Sequence, residues 1–577
     1  MCRMSADQND RDSGGLRDVS STGETISDGV VRVLEQAGVG TIFTLSGNQT
    51  ISLLAAAEKR LRIVHTRHEA AAVHMADAWG RLTESPGIAV VSGGPALGNT
   101  VTGLLTAYTA ESPLVLISAR ASRVEPGRRE FQDFGHAAAA APFAKRSQAA
   151  RDPDSVLDLV GSALRMSVGG RPGPVHVSIP ADFFDLEVAA GDGEDRTSND
   201  QPVASPQEVA DAVEAILEFL QAATRPVIIG GPAMMRPSSA AALADLSRVT
   251  GVPVIVTENP RGLNDPALGA VNTVLPSADA VVLLGKRLDW TLDHADEGSF
   301  APDSRFLQVD ADQAELDVTA ELLPADRLVN LILGDPLQIA KAVTEASDQA
   351  SVDPAWHEKV ASAVAQRPAR HDLPAGSAAG PLHAADVCAA IQPWLDDATL
   401  ICDGGEFGQW AQSLLSAPRR IINGPGGAIG ASIPFSVAAR LAHPDAPVVA
   451  VLGDGSMGFH PFEFDTAVRA GAPFVAIVGN DARWNSESNL HHGRFGAQGG
   501  RLYELLPTRY DRVVSALGGY GETVTTLDQI GPAIERARAS SVPACINVPI
   551  ASVPAPSAFD VANEHQGGPG GATSPRD

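Results

Sequence analysis

One stretch limits the folds open to this chain: the apolar run Pro447-Val448-Val449-Ala450-Val451-Leu452 ends in Gly453-Asp454-Gly455-Ser456. A segment with Phe464, Ala467 and Val468 at helical spacing follows, then a turn at Gly471-Ala472-Pro473, the apolar run Phe474-Val475-Ala476-Ile477-Val478 and Asn480-Asp481-Ala482-Arg483-Trp484. Strand, helix and strand at this spacing make a parallel unit, and open parallel sheets bind ligands beyond the carboxyl ends of their strands. Asp454 and Asp481 both fall at such ends. Glycines at 453 and 455 permit a close approach that a side chain would block, and a carboxylate is a hard oxygen ligand for a hard cation. The motif therefore predicts a site for a divalent cation carrying a diphosphate, with the N-terminus of the Phe464 helix facing the phosphates. The competing possibility is an ordinary glycine-rich turn between a strand and a helix.

The same alternation recurs along the chain, which predicts an α/β protein of three doubly wound parallel-sheet domains. The first, 25–186, contains Ile88–Val91, Leu114–Ile117 and Pro174–Pro180 as strands; the second, 206–344, contains Val227–Ile229, Val254–Val256, Ala280–Leu284 and Phe306–Val309. The third spans 382–553, polar linkers are expected at 187–205 and 345–381, and the ends 1–24 and 554–577 are expected to be a disordered tail and a tail or lid. Val90-Val91-Ser92-Gly93-Gly94-Pro95 followed by Pro113–Ile117 echoes Val451–Gly455 followed by Pro473–Ile477, so the outer domains look alike.

A second motif, Thr66-Arg67-His68-Glu69-Ala70, follows Ile63-Val64 and leads into a helix ending near Trp79-Gly80-Arg81. This places Glu69 at a strand-to-helix junction facing a cleft. Taken alone, such a glutamate is a charge at a helix N-terminus. A third feature is the run Gly424-Pro425-Gly426-Gly427-Ala428-Ile429-Gly430-Ala431.

Together these motifs resemble the thiamine diphosphate-dependent enzymes, over 25–553, and within them the branch of acetolactate synthase, benzaldehyde lyase and 2-hydroxyacyl-CoA lyase. Ser92–Pro95 with Asn99, Phe131-Gln132, Pro142–Lys145 and Pro543–Val548 look like segments of that branch. The resemblance implies that Glu69, Asn99, Gly427, Ile429, Gly453, Asp454, Gly455 and Ser456 contact thiamine diphosphate. It implies that magnesium is held by Asp454, the side chain of Asp481 and the carbonyl of Arg483. Glu69 would share a proton with the pyrimidine ring, its carboxyl raised by apolar burial. Ile429 would support the bend of the coenzyme. The family carries Asn where this chain has Asp481. The extra charge strengthens the hold on the cation and repels the diphosphate by about 4 kcal/mol at contact, at an effective dielectric of about 20. Partial neutralisation of Asp481, or a share of its role taken by Asn480, would relieve this.

Catalytic roles are expected of Gln132, pointing to the substrate, and of Glu487 and His491, spaced on one helical face as acid and base. A surface-loop glutamine and a solvated histidine pair are the plain alternatives. Ser46-Gly47-Asn48-Gln49, which the resemblance makes the substrate-contacting loop, lacks the histidine of benzaldehyde lyase, and Gly93-Gly94-Pro95 lacks the paired histidines of pyruvate decarboxylases. The resemblance thus implies a carboligase or lyase acting on a small carbonyl substrate, acetolactate synthase-like or benzaldehyde lyase-like. A 2-hydroxyacyl-CoA lyase or oxalyl-CoA decarboxylase-like enzyme taking a CoA thioester is the alternative, and a non-catalytic cofactor-binding homologue is a third. In the central domain Gly285-Lys286-Arg287-Leu288-Asp289-Trp290 sets two cations and an aromatic at a strand end, suited to CoA or ADP, where the acetolactate synthase branch holds FAD. A buried Arg–Asp pair beside a packing Trp fits the same residues. The coenzyme of this family lies between subunits, so a homodimer or homotetramer is expected.

A formal charge of −26 with no basic stripe excludes nucleic acid and anionic membranes as partners. Cys2, Cys388, Cys402 and Cys545 show no metal-ligand spacing, and no apolar run reaches the length of a membrane span, so a cytoplasmic location is expected.

Overall fold

The computed structural model describes residues 23–122, 130–188, 205–347, 352–368, 381–496 and 500–556. Most of both expected tails and much of both expected linkers lie outside the described residues.

Three sheets carry the fold, and every strand pair in them is parallel. The first contains β1 (Thr41–Leu45), β2 (Arg62–His65), β3 (Gly87–Val91), β4 (Leu114–Arg120), β5 (Arg146–Ala149) and β6 (Pro174–Pro180), in the order β2-β1-β3-β4-β6-β5. The central sheet contains β7 (Pro226–Gly230), β8 (Val254–Val256), β9 (Ala280–Leu284), β10 (Arg305–Asp310) and β11 (Leu328–Leu333), in the order β11-β10-β9-β7-β8. The last contains β12 (Thr399–Cys402), β13 (Arg419–Ile422), β14 (Val448–Gly453), β15 (Val475–Asn480), β16 (Tyr520–Thr523) and β17 (Ala544–Pro549), in the order β13-β12-β14-β15-β17-β16. Taken in chain sequence, the outer two sheets have the same strand order. The expected echo between them is a shared topology.

Inner strands such as β3 and β14 are apolar because helices cover both of their faces. The outer domains meet through two helices, Glu69–Thr83 and Ser432–Ala442, which pack against each other in one continuous core. The first is alanine-rich and buried nearly all round, from Ala70 to Ala78, which lets the helices come close. Arg81 closes this interface: it pairs with Asp77 at 2.6 Å, donates to the Ile422 carbonyl at 2.7 Å and lies over the Phe435 ring. Arg171, near the start of β6, ties the first domain to the central one through the buried carboxylates Glu111 and Asp310.

One expected helix divides. The residues after β14 form a short helix, Asp454–Met457, and a separate helix, Glu463–Ala470. Gly458 and Pro461 interrupt the pattern between them, proline because it clashes with the preceding turn and lacks an N–H. The helix that starts at the glycine turn is therefore the short one, and the Phe464 helix begins a turn and a half later.

Candidate active site

Gly453 pairs with Gly479 across β14 and β15, which brings Asp454 and Asp481 to one cavity. Asp454 is 2% exposed, and its Oδ2 has no hydrogen-bond partner among the described residues. Burial and the facing Asp481 both push the Asp454 carboxyl up. Burial raises Asp481 too, against the pull of the Ser552 hydroxyl and Arg483. A buried carboxylate with an unpaired oxygen, facing a second, half-buried one, is costly by itself and is relieved by a cation that takes oxygen ligands. This donor set fits magnesium. The turn beside it has no room for a side chain at Gly455, where a Cβ would stand 2.7 Å from the Trp484 ring. Ser456 and Ile429 complete the wall.

Arg483 reaches the same cavity because Ala482 adopts φ +54°, a left-handed turn that reverses the chain after β15. Asn480 takes no share of the Asp481 role. Its Nδ2 donates to the Thr508 carbonyl at 2.8 Å and to Asn547 at 3.0 Å, and its Oδ1 accepts from Ala482 N–H at 3.2 Å.

Glu487, in the first turn of the helix Asn485–Phe495, lines the cavity. His491 does not: its ring lies 5.1 Å from Phe495 and 5.6 Å from Tyr503, and its Nδ1 faces the Tyr503 hydroxyl at 3.4 Å. The expected acid–base pair of Glu487 and His491 is thus not formed. His492 is spent on the Ser488 carbonyl at 2.9 Å. Gly427 turns the chain at φ +67° but faces Pro260 of the central domain, not the cavity.

Glu69 is the first residue of the helix Glu69–Thr83, and Asn99 Nδ2 donates to its Oε2 at 2.9 Å. Its side chain is half-buried, so the apolar enclosure expected around it is not supplied by the described residues of this chain. Gln132, at φ +62°, packs over Gly94, whose missing Cβ would meet the Gln132 Cβ at 2.8 Å. Among the described residues, the cavity lined by Asp454 and Asp481 does not include Glu69.

Three carboxylates at these edges escaped the sequence reading. Asp403, at the end of β12, is 1% exposed; it accepts from the N–H groups of Gly404 and Gly430 at 2.8 and 2.9 Å and of Ser432 at 3.1 Å. It thereby holds the glycine-rich loop that presents Ile429. Cys402-Asp403-Gly404-Gly405 has the same strand-then-Asp-Gly grammar as the 452–455 turn, which was the available signal. Glu406 accepts from Asn489 at 3.1 Å and from Ala555 N–H, closing the cavity rim. Glu463 lies 1% exposed on the Arg67 backbone, and nothing in its sequence surroundings marks it.

In the central domain both cations of the 285–290 segment are engaged. Lys286 pairs with Asp289 at 2.9 Å, while Arg287 pairs with Glu315 at 2.7 Å and stacks on Tyr108. Trp290 donates to the Pro260 carbonyl at 3.2 Å. The internal ion pair is what forms, with Lys286 in place of the arginine.

Family models for thiamine pyrophosphate enzymes match three parts of the chain: the N-terminal TPP binding domain at residues 24–139, the central domain at 213–326 and the C-terminal TPP binding domain at 403–548. The acetolactate synthase large subunit IlvG of Mycobacterium tuberculosis is 31% identical over 533 residues, covering 90% of this chain and 94% of that protein. The 2-hydroxyacyl-CoA lyase 2 of Homo sapiens is 29% identical over 537 residues, covering 85% and 84%. The 2-hydroxyacyl-CoA lyase of Arabidopsis thaliana is 26% identical over 574 residues, covering 92% and 97%. With its three sheets in the order of those models and the Asp454 turn inside the C-terminal match, this chain belongs to the thiamine pyrophosphate enzymes.

Proposed function

We propose that this enzyme joins or cleaves a carbon–carbon bond next to a carbonyl, on a small 2-oxo acid or 2-hydroxy ketone, in the manner of an acetolactate synthase or benzaldehyde lyase. The observation that carries this is the buried Asp454 carboxylate, with one oxygen unpartnered, facing Asp481 at the carboxyl edge of β14 and β15.

Asp454, Asp481 and the Arg483 carbonyl would hold magnesium, whose charge offsets the two carboxylates and the diphosphate. Thiamine diphosphate, when bound, supplies a carbon nucleophile and an electron sink, and the protein supplies orientation. Asn99 fixes one oxygen of Glu69 and leaves the other to hold a proton at the pyrimidine nitrogen. Ile429, packed where Gly404 lacks a side chain, shapes the wall behind the coenzyme. Glu487 holds or moves a proton at a substrate oxygen, and Gln132 orients the substrate by hydrogen bonds from its amide. The Asp454 cavity does not include Glu69, which supports a working unit of at least a homodimer, with a homotetramer preferred and the cytoplasm as its place. No helix of the described residues is long and apolar enough to cross a membrane.

Calorimetry of purified protein tests the assignment: thiamine diphosphate should bind in the presence of magnesium and fail to bind when EDTA removes it. Pyruvate supplied with a second aldehyde or ketone should then yield a hydroxy ketone. Absence of coenzyme binding would sink the proposal.

A second possibility, a 2-hydroxyacyl-CoA lyase, is favoured by the central sheet. Its order reverses between β7 and β9, and the crevice there is lined by Ala233, Arg236, Gly285 and Asp310, the place where such sheets take nucleotides. Saturable CoA binding with cleavage of a 2-hydroxyacyl-CoA would support it. Copurified FAD would point to the acetolactate synthase branch, and neither nucleotide to the benzaldehyde lyase branch.

A further inference from the structure

The helix Glu463–Ala470 belongs to the last domain, yet its polar groups are spent on the strand and turn that lead to Glu69 in the first. Glu463 is 1% exposed. Its two carboxylate oxygens accept from the Arg67 backbone N–H at 3.0 and 3.3 Å, and Oε2 accepts from the Thr466 hydroxyl at 2.6 Å. Three further bonds run along the same seam. The Arg67 guanidinium reaches Asp465 at 3.3 Å, Arg469 donates to the His65 carbonyl at 2.7 Å, and Arg62 donates to the Ala470 carbonyl at 2.5 Å.

These contacts differ in weight. The arginine contacts are solvent-exposed, and exposed pairs hold little. The Glu463 contact is buried, so a displacement of the turn would strand one carboxylate oxygen, Oε1, and a main-chain N–H without partners. Arg67 lies on the turn between β2 and the helix that begins at Glu69, so whatever fixes its amide fixes the entry of that helix.

We propose that Glu463 is a positioning residue that sets the height and direction of the turn bearing Glu69, and that its loss slows proton transfer at the coenzyme without weakening coenzyme binding. This rests on Glu69 being the carboxylate that shares a proton with the coenzyme. Reacting groups lose about 10²-fold in rate when displaced by about 1 Å, which sets the scale of the effect. Burial, opposed by the bonds from Thr466 and Arg67, pushes the Glu463 carboxyl up to about 7. The groups that face it are Thr466, Arg67 and Arg469, with His460 one turn before it.

The test is hydrogen–deuterium exchange at the thiazolium carbon of the magnesium-loaded holoenzyme, read alongside thiamine diphosphate affinity by calorimetry. E463A should exchange about 10²-fold more slowly than wild type with coenzyme affinity within about twofold. E463Q keeps an acceptor oxygen for Arg67 and should return to within about tenfold of wild type, while E463D keeps the charge, withdraws it by one bond and should fall between them. Exchange at the wild-type rate in E463A overturns the proposal, as does a loss that merely tracks lost folding or lost coenzyme binding. Should E463A not fold, wild-type exchange in E463D overturns it equally. E69Q separates the two claims: it should abolish exchange with the coenzyme still bound, and wild-type exchange in E69Q would place the failure with Glu69 itself.

Discussion

The turn after β3 and the turn after β14 occupy the same place in two sheets of the same strand order, and they differ in what their polar groups face. In the first domain the turn is closed on itself. The Ser92 hydroxyl donates to Gln49 Oε1, Gly93 N–H donates to the same oxygen at 3.0 Å, and Gly94 N–H donates to His136 Nε2 at 3.0 Å. Gln49, placed by the family resemblance on a substrate-contacting loop, is spent inside the protein. In the last domain the matching turn carries Asp454, whose Oδ2 is left without a partner among the described residues, opposite a second carboxylate. One scaffold thus yields a satisfied turn and an unsatisfied one. The unsatisfied turn has the features of a ligand site, because a buried polar atom without a partner costs folding energy until a ligand completes it.

The strongest way to break this contrast is Asp454→Asn. If the free carboxylate oxygen is what separates the two turns, the substitution should lower magnesium-dependent coenzyme binding and turnover by about 10³-fold, a cost of about 4 kcal/mol. The ligand-free protein should melt no lower than wild type, since the buried one of two facing charges has gone. Calorimetry and thermal melts measure the two halves separately. A variant that binds coenzyme normally would remove the distinction between the turns.

Gln49→Ala attacks the other side of the comparison. It strands the Ser92 hydroxyl and the Gly93 N–H, so a loss of about 1–3 kcal/mol in stability is expected from denaturant unfolding. Magnesium affinity should not change, because nothing in this turn reaches Asp454.

How much of the molecule could be read from its sequence follows the same division between satisfied and unsatisfied groups. The inner strands β3, β4, β7, β9, β14 and β15 are apolar runs, and their order along the chain gave the parallel architecture. The edge strands β5, β11, β13 and β16 were not anticipated: Arg146-Ser147-Gln148-Ala149 and Tyr520-Gly521-Glu522-Thr523 carry polar residues because one side of an edge strand faces solvent. At the site, Asp454, Asp481 and Glu487 were legible because turn chemistry and strand ends locate them to within a residue. Glu463 was not, because its partner is a backbone N–H nearly four hundred positions away, and no local pattern records such a contact. The Glu487–His491 pairing failed for a related reason: helical spacing puts two side chains on one face but does not say that Tyr503 will cover the second.

A smaller effect sharpens the contrast from within the last domain. Asp481→Asn installs the residue the family carries there and removes one charge from the facing pair. Metal affinity should fall by about tenfold, or about 1.4 kcal/mol, while the ligand-free protein gains stability of the same order. Magnesium titration with thermal melts reads both, and unchanged metal affinity would show that the charge of Asp481 adds nothing to the hold on the cation.

The smallest expected effect concerns the interface through which the two domains meet. His74, on the helix that begins at Glu69, is wholly buried with Nδ1 unpartnered, its ring 5.7 Å from Phe435 and 5.8 Å from His460. Burial, with Arg81 and His68 nearby, lowers His74 from 6.5 to about 3. Burial, with His74 and His68, brings His460 down to about 3 as well. A histidine kept neutral in the fold binds fewer protons than its unfolded counterpart between about 3 and 6.5, so stability rises with pH across that window and is lost as pH falls through it. Glu463 runs the other way: with its carboxyl raised from 4.5 to about 7, the folded protein binds more protons than the unfolded one in that range, and its contribution is lost as pH rises. His74→Phe removes the unpartnered nitrogen and one proton site together. At pH 7 it should stabilise the protein by on the order of 1 kcal/mol, with the gain growing as pH is lowered towards 5. Melting curves of the two proteins at pH 5, 6, 7 and 8 test this, and parallel pH profiles would mean that His74 already takes up its proton in the folded state.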